Sequence, residues 1–174
     1  FLALTDRTLY LLGRIGVQYM SPAQMEKVQN SIHKKIDAYV NEGRMTFSAA
    51  SEFDRQGREK SLKWWEPNYA APALDAEFQY KTREVLRLAE AVKKWDEAIE
   101  LMCQCEFNEV VTLSQVSEVR LRERRLFSDI NRFCATLVIG MRNRTLEKIE
   151  VPQKQSDVPL SKIAEPNEEG GTVQ

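Results

Sequence analysis

Apolar residues recur at helical spacing along most of this chain, and most regularly between Leu74 and Met102. Phe78, Val85, Val92 and Ile99 repeat every seven residues. Leu74, Lys81, Leu88, Trp95 and Met102 repeat at the same interval, and only Lys81 interrupts the apolar rule. A stripe of this kind predicts a long helix over residues 73–105 that buries one seam against other helices. At the usual rise per residue it would be about 45–50 Å long.

The same spacing marks out further helices on either side. Residues 2–19 predict a first helix with Leu4, Leu11, Leu12 and Ile15 on its inner side. Ser21, Pro22 and Gln24 form a strong boundary: Ser21 can cap, Pro22 suits the first helical position, and Gln24 completes a capping box. A second helix then buries Met25, Val28, Ile32, Ile36 and Tyr39, and Gly43 stands where a helix terminus favours glycine. A third, over residues 46–65, buries Phe47, Ala50 and Phe53, then Leu62 and Trp65. Gly57 weakens its middle by up to about 1 kcal/mol relative to alanine. Pro67 ends it, and residues 66–72 read as a connector. The fifth helix starts near Thr112 or Ser114 and runs to about Glu150, with Val116, Phe127, Ile130, Cys134, Leu137 and Met141 inward.

The reading is therefore all-α: an antiparallel helical bundle, or a short helical-repeat array, of about five helices. It includes a long helical hairpin. A soft period of about 37 residues sets Met25 over Leu62 and Ile99, in the range of helical repeats. The helical domain is residues 1–151. Pro152 closes it, and residues 152–174 form a polar tail with too few large apolar side chains to order itself, so a partner must hold it.

Charge refines this picture in two ways. The formal net charge is −1, so no global field draws the chain to nucleic acid or anionic lipid. Residues 72–110 hold five bases and nine acids, whereas residues 113–150 hold eight bases and five acids. Opposite charge predicts that these last two helices pair as antiparallel neighbours. No stretch approaches the roughly 20 apolar residues of a membrane span. Cysteine occurs three times, an odd number that does not suit a secreted disulfide framework and suggests a reducing compartment such as cytosol or mitochondrial matrix. The chain begins at Phe1, as expected of a removed presequence or of a segment of a longer protein.

Candidate chemistry is sparse. His33 is the single histidine and reads as a surface or boundary residue without catalytic partners. Cys103 and Cys105 lack the second ligand pair of a structural zinc site, and two positions apart on a helix they point in different directions. They read as one boundary and one buried thiol. No phosphate loop, nucleophile elbow or zinc-protease motif occurs. The sequence predicts no catalytic residue, no cofactor and no metal site. Trp64 and Trp65 cannot both face one core, so one is expected inward and the other towards a partner. Arg120, Arg122, Arg124 and Arg125 make the densest basic cluster, which reads as a solvated or salt-bridged face, or a partner contact. Residues 46–65 also carry features of a helix-turn-helix, with Arg55, Arg58, Lys60 and Lys63 on the later half. Asp54, however, stands where the turn usually takes glycine.

Residues 93–102 (KKWDEAIELM) resemble a helix of tetratricopeptide or pentatricopeptide repeat proteins. With the odd thiols, the absent initiator methionine and the long tail, the chain is similar to small helical-repeat accessory subunits of mitochondrial complexes. One such family is the eighteen-kilodalton F1-associated subunits of euglenozoan ATP synthases. That resemblance implies a non-catalytic subunit in the mitochondrial matrix that binds other proteins of a larger assembly. The alternative is a nucleic-acid-binding helical protein, acting through residues 46–65 or the basic face at 120–125.

Overall fold

The structure is a computed structural model and describes residues 2–61, 63–67 and 79–150, the last six as backbone only. Among the described residues there are four helices and no strand: α1 (Leu2–Tyr19), α2 (Pro22–Lys60), α3 (Arg83–Phe107) and α4 (Leu113–Glu150). The all-α expectation holds. Residues 152–174, Leu62, the connector residues 68–72, and Leu74 and Phe78 of the heptad stripe lie outside the described residues.

The helix boundaries follow local chemistry. At the start of α2, the Ser21 amide donates to Gln24 Oε1 (3.1 Å) and the Gln24 amide to Ser21 Oγ (3.3 Å), which is the capping box the sequence predicts. Thr112 and Gln115 repeat the device at α4, the Thr112 amide donating to Gln115 Oε1 at 2.7 Å.

α2 and α4 form the spine, each about 57 Å long. Arg122 of α4 pairs with Glu42 of α2 (2.9 Å), and Asp129 further along α4 pairs with Lys35 earlier in α2, so the two run antiparallel. α3 runs parallel to α2. Arg87 pairs with Asp37 (2.8 Å), Trp95 sits on Gly43, and Met102 packs in one cluster with Ala50. α1 runs parallel to α4, with Thr5 beside Cys134 and the Tyr19 carbonyl accepting from Arg144 (2.9 Å). The bundle is thus three helices thick towards each end, and all four helices meet in the middle cluster. α1 covers one half of the spine and α3 the other.

Three expectations are corrected. The second and third predicted helices are one: residues 22–60 run unbroken. No turn divides residues 46–60, so no helix-turn-helix exists there. The heptad helix begins at Arg83, and residues 79–82 are non-helical. Its seam is also rotated. The fully buried positions are Val85 and then Leu88, Ala91, Trp95, Ala98, Met102 and Cys105, while Val92 and Ile99 are half-buried. Large and small residues alternate, which lets α3 approach α2 closely. Finally, α3 and α4 are antiparallel neighbours as expected, but no ion pair among the described residues joins them. Among the described residues, the interhelical ion pairs tie α2 to α3 and α2 to α4.

The misplaced helix end has a packing cause. Gly43 has no positive φ. Instead it forms a notch for the Trp95 indole: a Cβ at residue 43 would lie 2.7 Å from Trp95 Nε1. That nitrogen donates to the Tyr39 carbonyl (3.2 Å). The Tyr39 ring tilts against Trp95, and its hydroxyl donates to Glu123 of α4 (2.8 Å). One knot therefore joins α2, α3 and α4. Gly57 receives Trp64 and Val110 in the same manner, and Gly16 receives Met25.

α1 also differs from expectation. Its fully buried face is Thr5, Asp6, Thr8, Leu12 and Gly16, with Leu4, Leu11 and Ile15 at its margins. Asp6 explains the polar choice. Its Oδ1 accepts from the amides of Lys81 and Thr82 (both 2.9 Å) and from the Thr82 hydroxyl (2.9 Å), and its Oδ2 from the Lys81 amide (3.0 Å). Thr82 is the N-cap residue of α3, yet its own side chain makes no cap bond. Asp6 instead anchors, from another helix, the backbone that leads into α3.

Two predictions follow from these contacts. Replacing Gly43 by Ala should lower stability by about 1–3 kcal/mol, the usual cost of overpacking. The same change at Gly13, where nothing lies within 4 Å, should raise stability by up to about 1 kcal/mol. Urea titrations of both variants check the opposite signs. Asp6→Ala should cost about 2–4 kcal/mol because buried amides lose their acceptor. Hydrogen exchange should show the loss first in residues 83–88.

Candidate protein-binding surface

α2 and α3 end, and α4 begins, at one end of the bundle. The turn there is closed by a left-handed residue. The Val110 amide donates to the Cys105 carbonyl (2.8 Å) and the Glu109 amide to the Glu106 carbonyl (2.9 Å). This double bond is a Schellman closure of α3, and it places Glu109 at φ 58° where glycine is usual. Asn108, one residue earlier, is the C-cap. Its Nδ2 donates to the Gln104 carbonyl (2.9 Å) and the Trp65 carbonyl (2.8 Å), and its Oδ1 accepts from the Trp65 amide (3.0 Å). Asn108 therefore clasps the backbone of Trp65 on both sides.

The two tryptophans divide as expected, although it is Trp64 that turns inward. Its ring fills the Gly57 notch and packs with Phe53, Met102 and Val110, and Arg58 lies over its outer face at 5.2 Å. The orientation of the Gln104 amide follows from its partners. Its oxygen accepts from Trp64 Nε1 (3.0 Å) and Arg58 Nη2 (3.2 Å). Arg58 in turn pairs with Asp54 (2.9 Å) and Glu66 (2.8 Å). Trp65 points outward and is 55% exposed, with the Lys63 ammonium 3.9 Å from its ring centre. Phe107 and Leu113, from the elements that meet at this end, are also exposed, at 58% and 65%. Sequence reasoning missed both. The readable signal was a large apolar residue on each side of one helix-closing turn, Phe107 next to Asn108 and Leu113 at the start of α4.

The basic cluster does not act as a unit. Arg120 lies with Nη2 3.1 Å from Cys103 Sγ, and Arg122 is held by Glu42 (2.9 Å) and Glu118 (3.5 Å). Arg124 and Arg125 make no ion pair or hydrogen bond among the described residues. A groove of about 510 Å³ between α2 and α4 is bordered by Glu42, Leu121, Arg122 and Arg125. His33 is at the surface, 3.9 Å from Glu84.

The thiols sit in unequal surroundings. Cys105 is fully buried, and burial pushes its pKa up to about 11, helped by Asp54 and opposed by Arg58. Burial also raises the Cys134 thiol, against the pull of the Thr5 and Thr8 hydroxyls. Burial and the bond to Glu123 drive the Tyr39 phenol above its ordinary range. Cys103 is half-buried. Among the described residues, no three His, Cys, Asp or Glu side chains converge as a metal site would need, and no helix is long and apolar enough to cross a membrane. Compared with protein-family models, curated proteins and solved structures, the chain matches none.

Thiol labelling reads these surroundings directly. Cys103 should react with an aromatic disulfide reagent in the folded protein, and Cys105 and Cys134 only on unfolding. The raised values have one sign: the folded state keeps protons that the unfolded chain releases. Stability should hold below the ordinary thiol value near 9 and fall as pH rises towards about 11. Urea midpoints at pH 8 and pH 10.5 measure it.

Proposed function

We propose that this protein is a non-catalytic structural subunit that binds other proteins within a larger assembly. The observation that carries this reading is Trp65, an exposed indole whose backbone shares two hydrogen bonds with Asn108. Tryptophan is enriched among residues that dominate interface energies, and a fixed backbone lowers the entropy lost on docking. Phe107 and Leu113 extend the apolar surface at the same end of the bundle. The left-handed Glu109 supports the turn that presents them.

The finer reading is an accessory subunit in the mitochondrial matrix, of the kind attached to the F1 head of ATP synthase. It rests on the resemblance of residues 93–102. The nucleic-acid alternative loses the helix-turn-helix, since residues 46–60 are one helix, and keeps the arginines of α4.

A photo-crosslinking residue placed at position 65 in native material, read by mass spectrometry, tests the reading. It should capture one protein partner at fixed stoichiometry. Trp65→Ala should weaken that association by about 2 kcal/mol, or roughly 30-fold, with the unfolding temperature unchanged. A monodisperse monomer with no crosslinked partner would defeat it.

A further inference from the structure

The outer face of α4 carries a second seam. Leu121, Arg125, Ser128, Arg132, Ala135 and Ile139 follow one another at steps of four and three residues, which sets them along one helix face. This face lies opposite the buried stripe of Val116, Ile130, Cys134 and Met141. Leu121 and Ile139, near its two ends, are 51% and 58% exposed. At the Leu121 end a shallow recess of about 440 Å³ is bordered by Leu121, Arg124, Arg125, Ser128, Asp129 and Arg132.

Arginine predominates on this face. The side chains of Arg124, Arg125 and Arg132 make no ion pair or hydrogen bond among the described residues. Of the acids of α4 in this stretch, Glu123 is turned to α2, where Tyr39 holds it, and Asp129, at the rim of the recess, is paired with Lys35. The result is a helix face about 27 Å long, with an aliphatic side chain at each end and arginines over about 12 Å between them.

We propose that this face docks an acidic amphipathic helix of a partner protein. Guanidinium groups bind carboxylates in bidentate pairs and are less strongly hydrated than ammonium, which suits them to an interface. The aliphatic positions stand where a second helix would seat its own apolar residues. A nucleic-acid backbone would use the arginines but leave Leu121 and Ile139 without a role. The proposal rests on the protein-binding reading, but it uses a different surface from Trp65, so the two can fail separately.

The probe is a labelled synthetic helix of about three heptads, with Leu and Ile on its seam and Glu flanking it. Its controls are a scrambled peptide of the same composition and a single-stranded RNA of similar charge. Fluorescence anisotropy with the full chain should show binding of the patterned peptide, and weaker binding of both controls. Arg125→Glu with Arg132→Glu should weaken the peptide by about tenfold or more. Leu121→Ala with Ile139→Ala should weaken it by about fivefold or more, while Trp65→Ala leaves it unchanged. These side chains are exposed, and circular dichroism checks that each variant keeps its helices. Equal binding of scrambled peptide or RNA, no binding of the patterned peptide, or indifference to the substitutions at 121, 125, 132 and 139 would overturn the proposal.

Discussion

The bundle depends on a carboxylate that serves a helix other than its own. α2 and α4 run its full length, but α1 and α3 each cover only part of it. Their N-terminal regions therefore meet in the middle of the spine. The residues that lead into α3 carry amides with no partner in that helix, and covering them without an acceptor would cost more than the junction gains. Asp6, itself only 5% exposed, accepts from the amides and the hydroxyl of residues 81 and 82. The direction of α3, and with it the parallel match to α2, is fixed at this point.

From there the packing is a series of notches. Gly16, Gly43 and Gly57 each admit one large side chain, Met25, Trp95 and Trp64 in turn. Each notch lies in a different one of the three apolar clusters along the axis, the middle one centred on Tyr39, Trp95 and Ile130. Helices that interlock in this way tolerate little sliding, because each knob has one socket. The registers of α1, α2 and α3 are set by shape, and the surface ion pairs add little to that.

The periodicity of apolar residues was enough to read the helices, because amphipathic spacing is a local property. The start of α4 and the Ser21 capping box could be read for the same reason. What could not be read depends on contacts distant in sequence. Gly43 looks like a terminus until Trp95, far along the chain, is seen resting on it. Asp6 and Thr5 look like surface residues until α3 and α4 supply their partners. The seam of α3 is displaced by one position because Ala91 and Ala98, poor in apolar signal, are what permit close approach. At the candidate surface, the opposed roles of Trp64 and Trp65 follow from adjacency on one short segment. The choice between them is made by Asn108 and Gly57, neither of which announces itself.

Asn108 has a double duty. The same amide group that finishes α3 also tethers the segment bearing Trp65. Fraying of that helix terminus and release of the aromatic side chain are consequently a single event. A ligand seated on the indole would tighten the last turn of α3, and conversely any strain that loosens that turn would unseat the indole beside it.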